Sequence, residues 1–193
     1  IKNKEVKAKI FKTSRTSMAL AKIIFREFYH TSPDFRPSEP DLANMLAQSD
    51  AALLIGDRAL KFMEDHQQPD AELQKPLLRL GAEPLQIFDL AERWRFLTGL
   101  PFVFAFWAVR EGFKDNGTVD RLKASRDFGV ENIPVIAERY SERLQIKKEF
   151  IREYLEKNVH YYMDQSCLEG LQLFYEKAAS AGAIKSVRRL EFI

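Results

Sequence analysis

A chain of 193 residues, 46% of them hydrophobic and 15 of them Phe, can bury a core as one large or two small domains. Its 30 basic and 28 acidic residues leave a net charge of +2 with no block of five like charges, which argues against a dedicated nucleic-acid binder. The single cysteine, Cys167, excludes an intrachain disulfide, and the longest apolar run, Leu100 to Val109, falls far short of the ~20 residues that span a bilayer. With no recognisable secretory leader, a soluble cytoplasmic protein is expected.

Ala8 to Phe11 reads as a short strand. The polar cluster Thr13 to Ser17 follows, then a helix from Met18 to Tyr29 whose apolar residues recur at helical spacing. Ser14, Thr16 or Ser17 can each serve as its N-cap. Thr31 to Pro40 holds three prolines and reads as a loop. Asp41 to Gln48 reads as a short helix with Leu42, Met45 and Leu46 on one face. Asp50 to Asp57 reads as a buried parallel strand that ends in Gly56-Asp57, and a helix is expected over 59–65. His66 to Pro84 is polar and proline-bearing, a surface excursion. Asp89 to Leu97 is a helix closed by Thr98-Gly99, and Leu100 to Val109 is expected as a second buried strand. Helices follow at 118–127, 131–144, 147–157 and 166–180, the first two parted by Phe128-Gly129. The expected organisation is an α/β lobe over 1–109 and a mainly helical part over 110–193 that returns to it.

Two places could carry chemistry. Thr13-Ser14-Arg15-Thr16-Ser17 puts four hydroxyls and a guanidinium into five positions at a helix start. Free N–H groups and the helix dipole favour an anion there, and Arg adds a fork for carboxylate or phosphate. The alternative is capping with a solvated Arg. The cluster lacks the Gly-x-x-x-x-Gly-Lys pattern of a P-loop. Asp57, after Gly56, stands at the carboxyl end of a strand, where open α/β sheets bind ligands. It is either a ligand-facing carboxylate or the N-cap of a helix that begins at Arg58. His30, His66 and His160 share no metal spacing with one another or with Cys167, so no metal is assigned. Cys167 has no basic neighbour and is expected to be a packing residue. Lys147-Lys148 and Arg188-Arg189 are expected on solvated faces.

Three stretches carry a resemblance: Lys12 to Leu20, Asp50 to Leu60, and Asp89 to Arg110, the last containing Thr98-Gly99-Leu100-Pro101-Phe102-Val103-Phe104-Ala105-Phe106-Trp107. In this order they resemble the chorismate dehydratase family of the futalosine route to menaquinone, and Tyr154-Leu155 and Gly170 to Phe174 are similar to its C-terminal part. The resemblance implies a periplasmic-binding-protein-like fold of two α/β lobes around a cleft. It implies a lyase that dehydrates chorismate to 3-[(1-carboxyvinyl)oxy]benzoate with no metal or cofactor. Ser14, Arg15, Thr16 and Ser17, with Gly56 and Asp57, are then expected to bind the substrate. Family members also carry an upstream lobe segment with a Ser-Tyr-Leu-Asn-like motif, which nothing here matches, and Phe11 stands near the place of a family Asp. The chain opens at Ile1, where the second lobe is expected to begin.

The alternative from another class is a non-catalytic solute-binding module of the same fold that reads an anionic metabolite. The sister enzyme that cleaves dehypoxanthine futalosine works through a His base, which this cluster does not favour. A DNA-binding regulator would need a helix-turn-helix segment, and none is visible. The expected partner is a small molecule, chorismate, rather than nucleic acid or membrane, and the sequence leaves the oligomeric state open.

Overall fold

The computed structural model describes residues 7–11, 14–67, 87–187 and 190–191. The expected excursion over 66–84 lies outside them beyond Gln67, as do Thr13 and the Arg188-Arg189 pair.

Three parallel strands form one sheet: β1 (Lys7–Phe11), β2 (Asp34–Ser38) and β3 (Ala51–Leu53), in the order β2-β1-β3. Register runs from Lys7↔Asp34 to Phe11↔Ser38 on one side of β1, and from Ala8↔Ala51 to Ile10↔Leu53 on the other. β1 hands over to α1 (Arg15–Tyr29), β2 to α2 (Leu42–Ala47) and β3 to α3 (Asp57–Gln67). That alternation makes this part an α/β unit.

The loop expected over 31–40 is corrected here, because it contains β2. Pro37 sits opposite Ile10 on a strand that β1 borders on one side only among the described residues. On such an edge strand, alternate N–H groups face away from the sheet, and a proline removes none of the ladder bonds. β3 is shorter than the expected strand and half-buried rather than buried.

The helices obey local chemistry. α1 begins earlier than the periodicity suggested, with Ser14 as its N-cap. Asp41 caps α2, its carboxylate accepting from the Asn44 amide at 3.1 Å. α4 (Leu90–Thr98) is capped by Asp89, which accepts from the amides of Ala91 and Glu92 at 2.7 and 2.9 Å, and it closes on Gly99 at φ 73°. Only a residue without a Cβ takes that left-handed conformation freely.

The second buried strand expected over Leu100–Val109 does not form. Leu100, Pro101 and Phe102 tuck half-buried beside α4, but Phe104 is 56% and Trp107 58% exposed. A strand needs a main-chain partner, and no described strand pairs with this run.

α5 (Thr118–Glu131) runs straight through Phe128-Gly129, so the expected break is also corrected. The interruption falls at Asn132, before α6 (Ile133–Leu144), whose Pro134 stands in the first turn. Proline lacks an N–H and its ring crowds the carbonyl four residues back, so a continuous helix stops there. α7 (Lys148–Glu153) runs into a wider π-helical turn at Tyr154–Asn158, and α8 (Gln165–Ser180) follows. No helix among the described residues is long and apolar enough to cross a membrane.

The buried side chains gather in two clusters. In the first, Leu20, Ile23 and Ile24 of α1 meet Trp94 of α4 and Phe174 and Ala178 of α8. In the second, Ala137 of α6, Ile146 and Ile151 of α7 enclose one another, with Leu60 of α3 packed against them. Thus α8, last in the chain, covers the helix that carries the polar cluster.

Candidate functional site

Parallel topology brings the two sequence-predicted places to one edge of the sheet. β1 runs out at Phe11 and the chain turns into α1, while β3 runs out at Leu53 and turns through Gly56 into α3. With β2 on the opposite side of β1, the carboxyl ends of β1 and β3 flank the point where the strand order reverses. In open α/β sheets that crevice is where ligands bind.

The polar cluster divides into structural and available members. Ser14 Oγ accepts the Ser17 amide at 3.1 Å and donates to Ser17 Oγ at 2.8 Å. Ser17 is only 6% exposed, so both hydroxyls are engaged in holding the helix start. Thr16 is half-buried, and Arg15 is exposed with no ion pair among the described residues. The amides of Arg15 and Thr16 sit too early in α1 for an intrahelical acceptor. No acidic side chain lies in the first turn, so the positive end of the dipole is uncompensated. Among the described residues, the exposed Arg15 guanidinium, the half-buried Thr16 hydroxyl and the amides of Arg15 and Thr16 are the groups of the cluster with no hydrogen bond inside it.

Gly56 has φ 66°, and its carbonyl accepts the Leu60 amide at 3.0 Å. It therefore holds the cap position of α3, and Asp57 is the first helical residue rather than the cap of a helix starting at Arg58. The Asp57 carboxylate is exposed at a favourable helix start. Arg58 turns away, donating to the Pro40 carbonyl at 3.0 Å.

Two open concavities flank α6 instead, of about 410 and 550 Å3. The first is lined by Lys61, Glu64 and Lys147 among others, and neither reaches the sheet edge. Their charges satisfy one another. Glu64 is buried, takes the Lys61 ammonium at 2.8 Å on one oxygen and the Lys147 amide at 2.6 Å on the other, and so fastens α3 to the start of α7. Burial pushes its carboxyl up, but these hydrogen bonds outweigh that and hold it below the usual 4.5. A depressed carboxylate stabilises the fold above its ordinary value, and that contribution is lost as pH falls below it. Glu64→Gln is therefore expected to cost about 1–3 kcal/mol at pH 7. Urea unfolding at pH 7 and pH 3 should show the difference between variant and parent shrinking in acid.

Sequence reasoning missed one constellation. Spacing gives His160 no metal partner in Cys167 and does not bring in Asp164, yet the ligand atoms of all three lie within 4.8 Å of one another. The available signal was Asp164 as the cap of α8, which fixes Cys167 one turn above it.

Comparison with known proteins now bears on these residues. A chorismate dehydratase of Thermus thermophilus is 32% identical over 164 residues, 84% of this chain. The chain spans 59% of that relative's length. A family model described as menaquinone biosynthesis matches residues 2–180, which takes in β1, the α1 start, the Gly56 turn and α8. The chain belongs to the menaquinone-biosynthesis family, that of chorismate dehydratase.

Proposed function

We propose that this chain supplies the substrate-anion half of a lyase that dehydrates chorismate to 3-[(1-carboxyvinyl)oxy]benzoate in the futalosine route to menaquinone. The observation behind this reading is the uncompensated start of α1, with Arg15 and Thr16, facing the same sheet edge as the Gly56 turn. The family match and the relative's name support the substrate.

Chorismate is a dianion, and its dehydration removes a proton and a hydroxide from adjacent ring carbons to leave an aromatic ring. Aromatisation drives the reaction, so the protein's task is to hold the dianion and ease the leaving groups. Arg15 and the free amides of α1 take a carboxylate. Ser14 and Ser17 keep those amides aimed by holding the helix start rigid, and Thr16 adds a hydroxyl. Asp57 is repelled by the substrate's carboxylates, so its place is beside the uncharged ring. Gly56 lets the backbone turn close beside the ligand. Such donors, aligned before the substrate arrives, need no reorganisation during the reaction. The reading includes a two-lobe, periplasmic-binding-protein-like fold in the cytoplasm, in which 1–109 forms an α/β lobe and 110–193 returns to it. No cofactor enters it.

Chorismate titration by calorimetry tests the binding half. Arg15→Ala is expected to weaken affinity by about 1.5–3 kcal/mol, roughly 10- to 150-fold. Unchanged affinity would remove Arg15 from the site. Incubation with chorismate, followed by chromatography for the enolpyruvyl-benzoate, tests the chemistry. Product supports the lyase, whereas tight binding without turnover supports a solute-binding module.

A further inference from the structure

We propose that His160, Asp164 and Cys167 form a site for a divalent cation of the zinc class at the start of α8. Their ligand atoms lie within 4.8 Å of one another. In tetrahedral zinc sites the bond lengths put neighbouring ligand atoms about 3.3–3.6 Å apart. The ligand atoms therefore have to close in by at most about 1.5 Å. His160 Nε2 already stands 3.4 Å from Asp164 Oδ2.

The carboxylate divides its work. Oδ1 accepts the Cys167 amide at 2.9 Å and the Ser166 hydroxyl at 2.7 Å, which locks the helix start and leaves Oδ2 toward the histidine. That cap also sets where Cys167 stands. Its thiol is buried, lies 3.9 Å from the Tyr162 carbonyl and also interacts with the Asp164 carboxylate. The segment that carries His160 is itself tethered. Tyr161 donates to the Leu155 carbonyl at 3.0 Å, and the Tyr162 ring lies under the Arg126 guanidinium at 4.3 Å with its hydroxyl 3.2 Å from Asp127. Two ligands are thus fixed by a helix cap and the third by a held loop, so little ordering remains for the cation to impose.

Charge and softness choose the ion. A thiolate and a carboxylate together neutralise a dication, so binding adds no net positive charge beside the positive helix end. One thiolate, one imidazole and one carboxylate suit zinc, whereas calcium and magnesium take oxygen donors. Binding displaces the Cys167 thiol proton to solvent and forms the metal–sulfur bond, with no redox change. Three protein ligands leave a fourth position for water on the exposed side. The ion would clamp the loop after Tyr154–Asn158 to α8, whose Gly170 bears on the Pro101 carbonyl one turn further on.

Titration of the whole 193-residue chain with Co2+, as a coloured stand-in for zinc, tests this. A sulfur-to-cobalt charge-transfer band in the near ultraviolet and tetrahedral bands in the visible are expected, both erased by added Zn2+. Cys167→Ser should abolish the charge-transfer band. His160→Ala, at an exposed position that leaves the fold intact, should weaken Co2+ binding by at least about 10-fold, since even outer-shell partners of a metal contribute that much. Absence of the thiolate band in the parent, or unchanged affinity in His160→Ala, would overturn the site.

Discussion

Trp94→Ala is expected to cost about 3–5 kcal/mol, the range for truncating a fully buried large side chain. Trp94 has no exposed surface and stands where three helices meet, against Leu20, Ile23 and Ile24 on one side and Phe174 and Ala178 on the other. Its ring meets Phe102 and Phe174 edge-on, at centroid distances of 5.6 and 6.2 Å. The indole N–H donates to the Pro101 carbonyl at 3.3 Å and so ties α4 to the segment that follows it. Alanine would lose the packing, leave a cavity and orphan that carbonyl together. A loss of this size is a large share of the 5–15 kcal/mol by which domains are stable. Trp94→Phe keeps most of the packing and loses the hydrogen bond, so a smaller penalty, about 1–3 kcal/mol, is expected. Urea unfolding of both variants separates packing from polar contributions. A loss below about 1 kcal/mol in Trp94→Ala would mean that the cluster closes over the gap, and that Trp94 is not its centre.

Gly170→Ala should also destabilise, by about 2–3 kcal/mol, although helix propensity points the other way. Glycine inside a helix is roughly 0.5–1 kcal/mol worse than alanine, so in open space the change would stabilise α8. The space here is not open. A Cβ at Gly170 would overlap the Pro101 carbonyl and stand 3.5 Å from Leu100 Cβ. A backbone carbonyl cannot swing aside as a flexible side chain can. Either α8 withdraws from the segment after Gly99, or that segment moves and takes the Trp94 hydrogen bond with it. The sign decides between propensity and close approach. A raised melting temperature in Gly170→Ala would show that α8 and Leu100–Pro101 are not in contact.

These two residues join the parts of the chain on which the proposed function depends. α8 lies against α1, and α1 carries Arg15 at its start. Loosening Trp94 or Gly170 is expected to reach the sheet edge through helix packing, without touching the ligand.

The sequence by itself determined the features whose causes lie within a few residues. Asp41 and Asp89 are legible as caps because a short carboxylate reaches amides two or three positions ahead. Gly99 ends α4 and Gly56 turns the chain because only glycine takes positive φ without cost. The apolar spacing of α1 announces its buried face, and the polar cluster before it announces a helix start. The family itself was readable from long stretches around these same places.

Tertiary structure decided what depends on distant partners. Asp34–Ser38 becomes a strand because β1 lies beside it, which no local pattern with a proline in it reveals. Leu100–Val109 has the composition of a buried strand, yet composition supplies no hydrogen-bond partner, and its far half stands exposed. Ser17 is buried and its hydroxyl accepts from Ser14, an arrangement that the spacing of hydroxyls along the chain does not reveal. His160 came within reach of Cys167 because a helix cap and a tethered loop converge, a geometry that residue spacing alone does not encode. Local torsions and caps are properties of a short peptide, whereas pairing, burial and convergence are properties of the whole chain closing on itself.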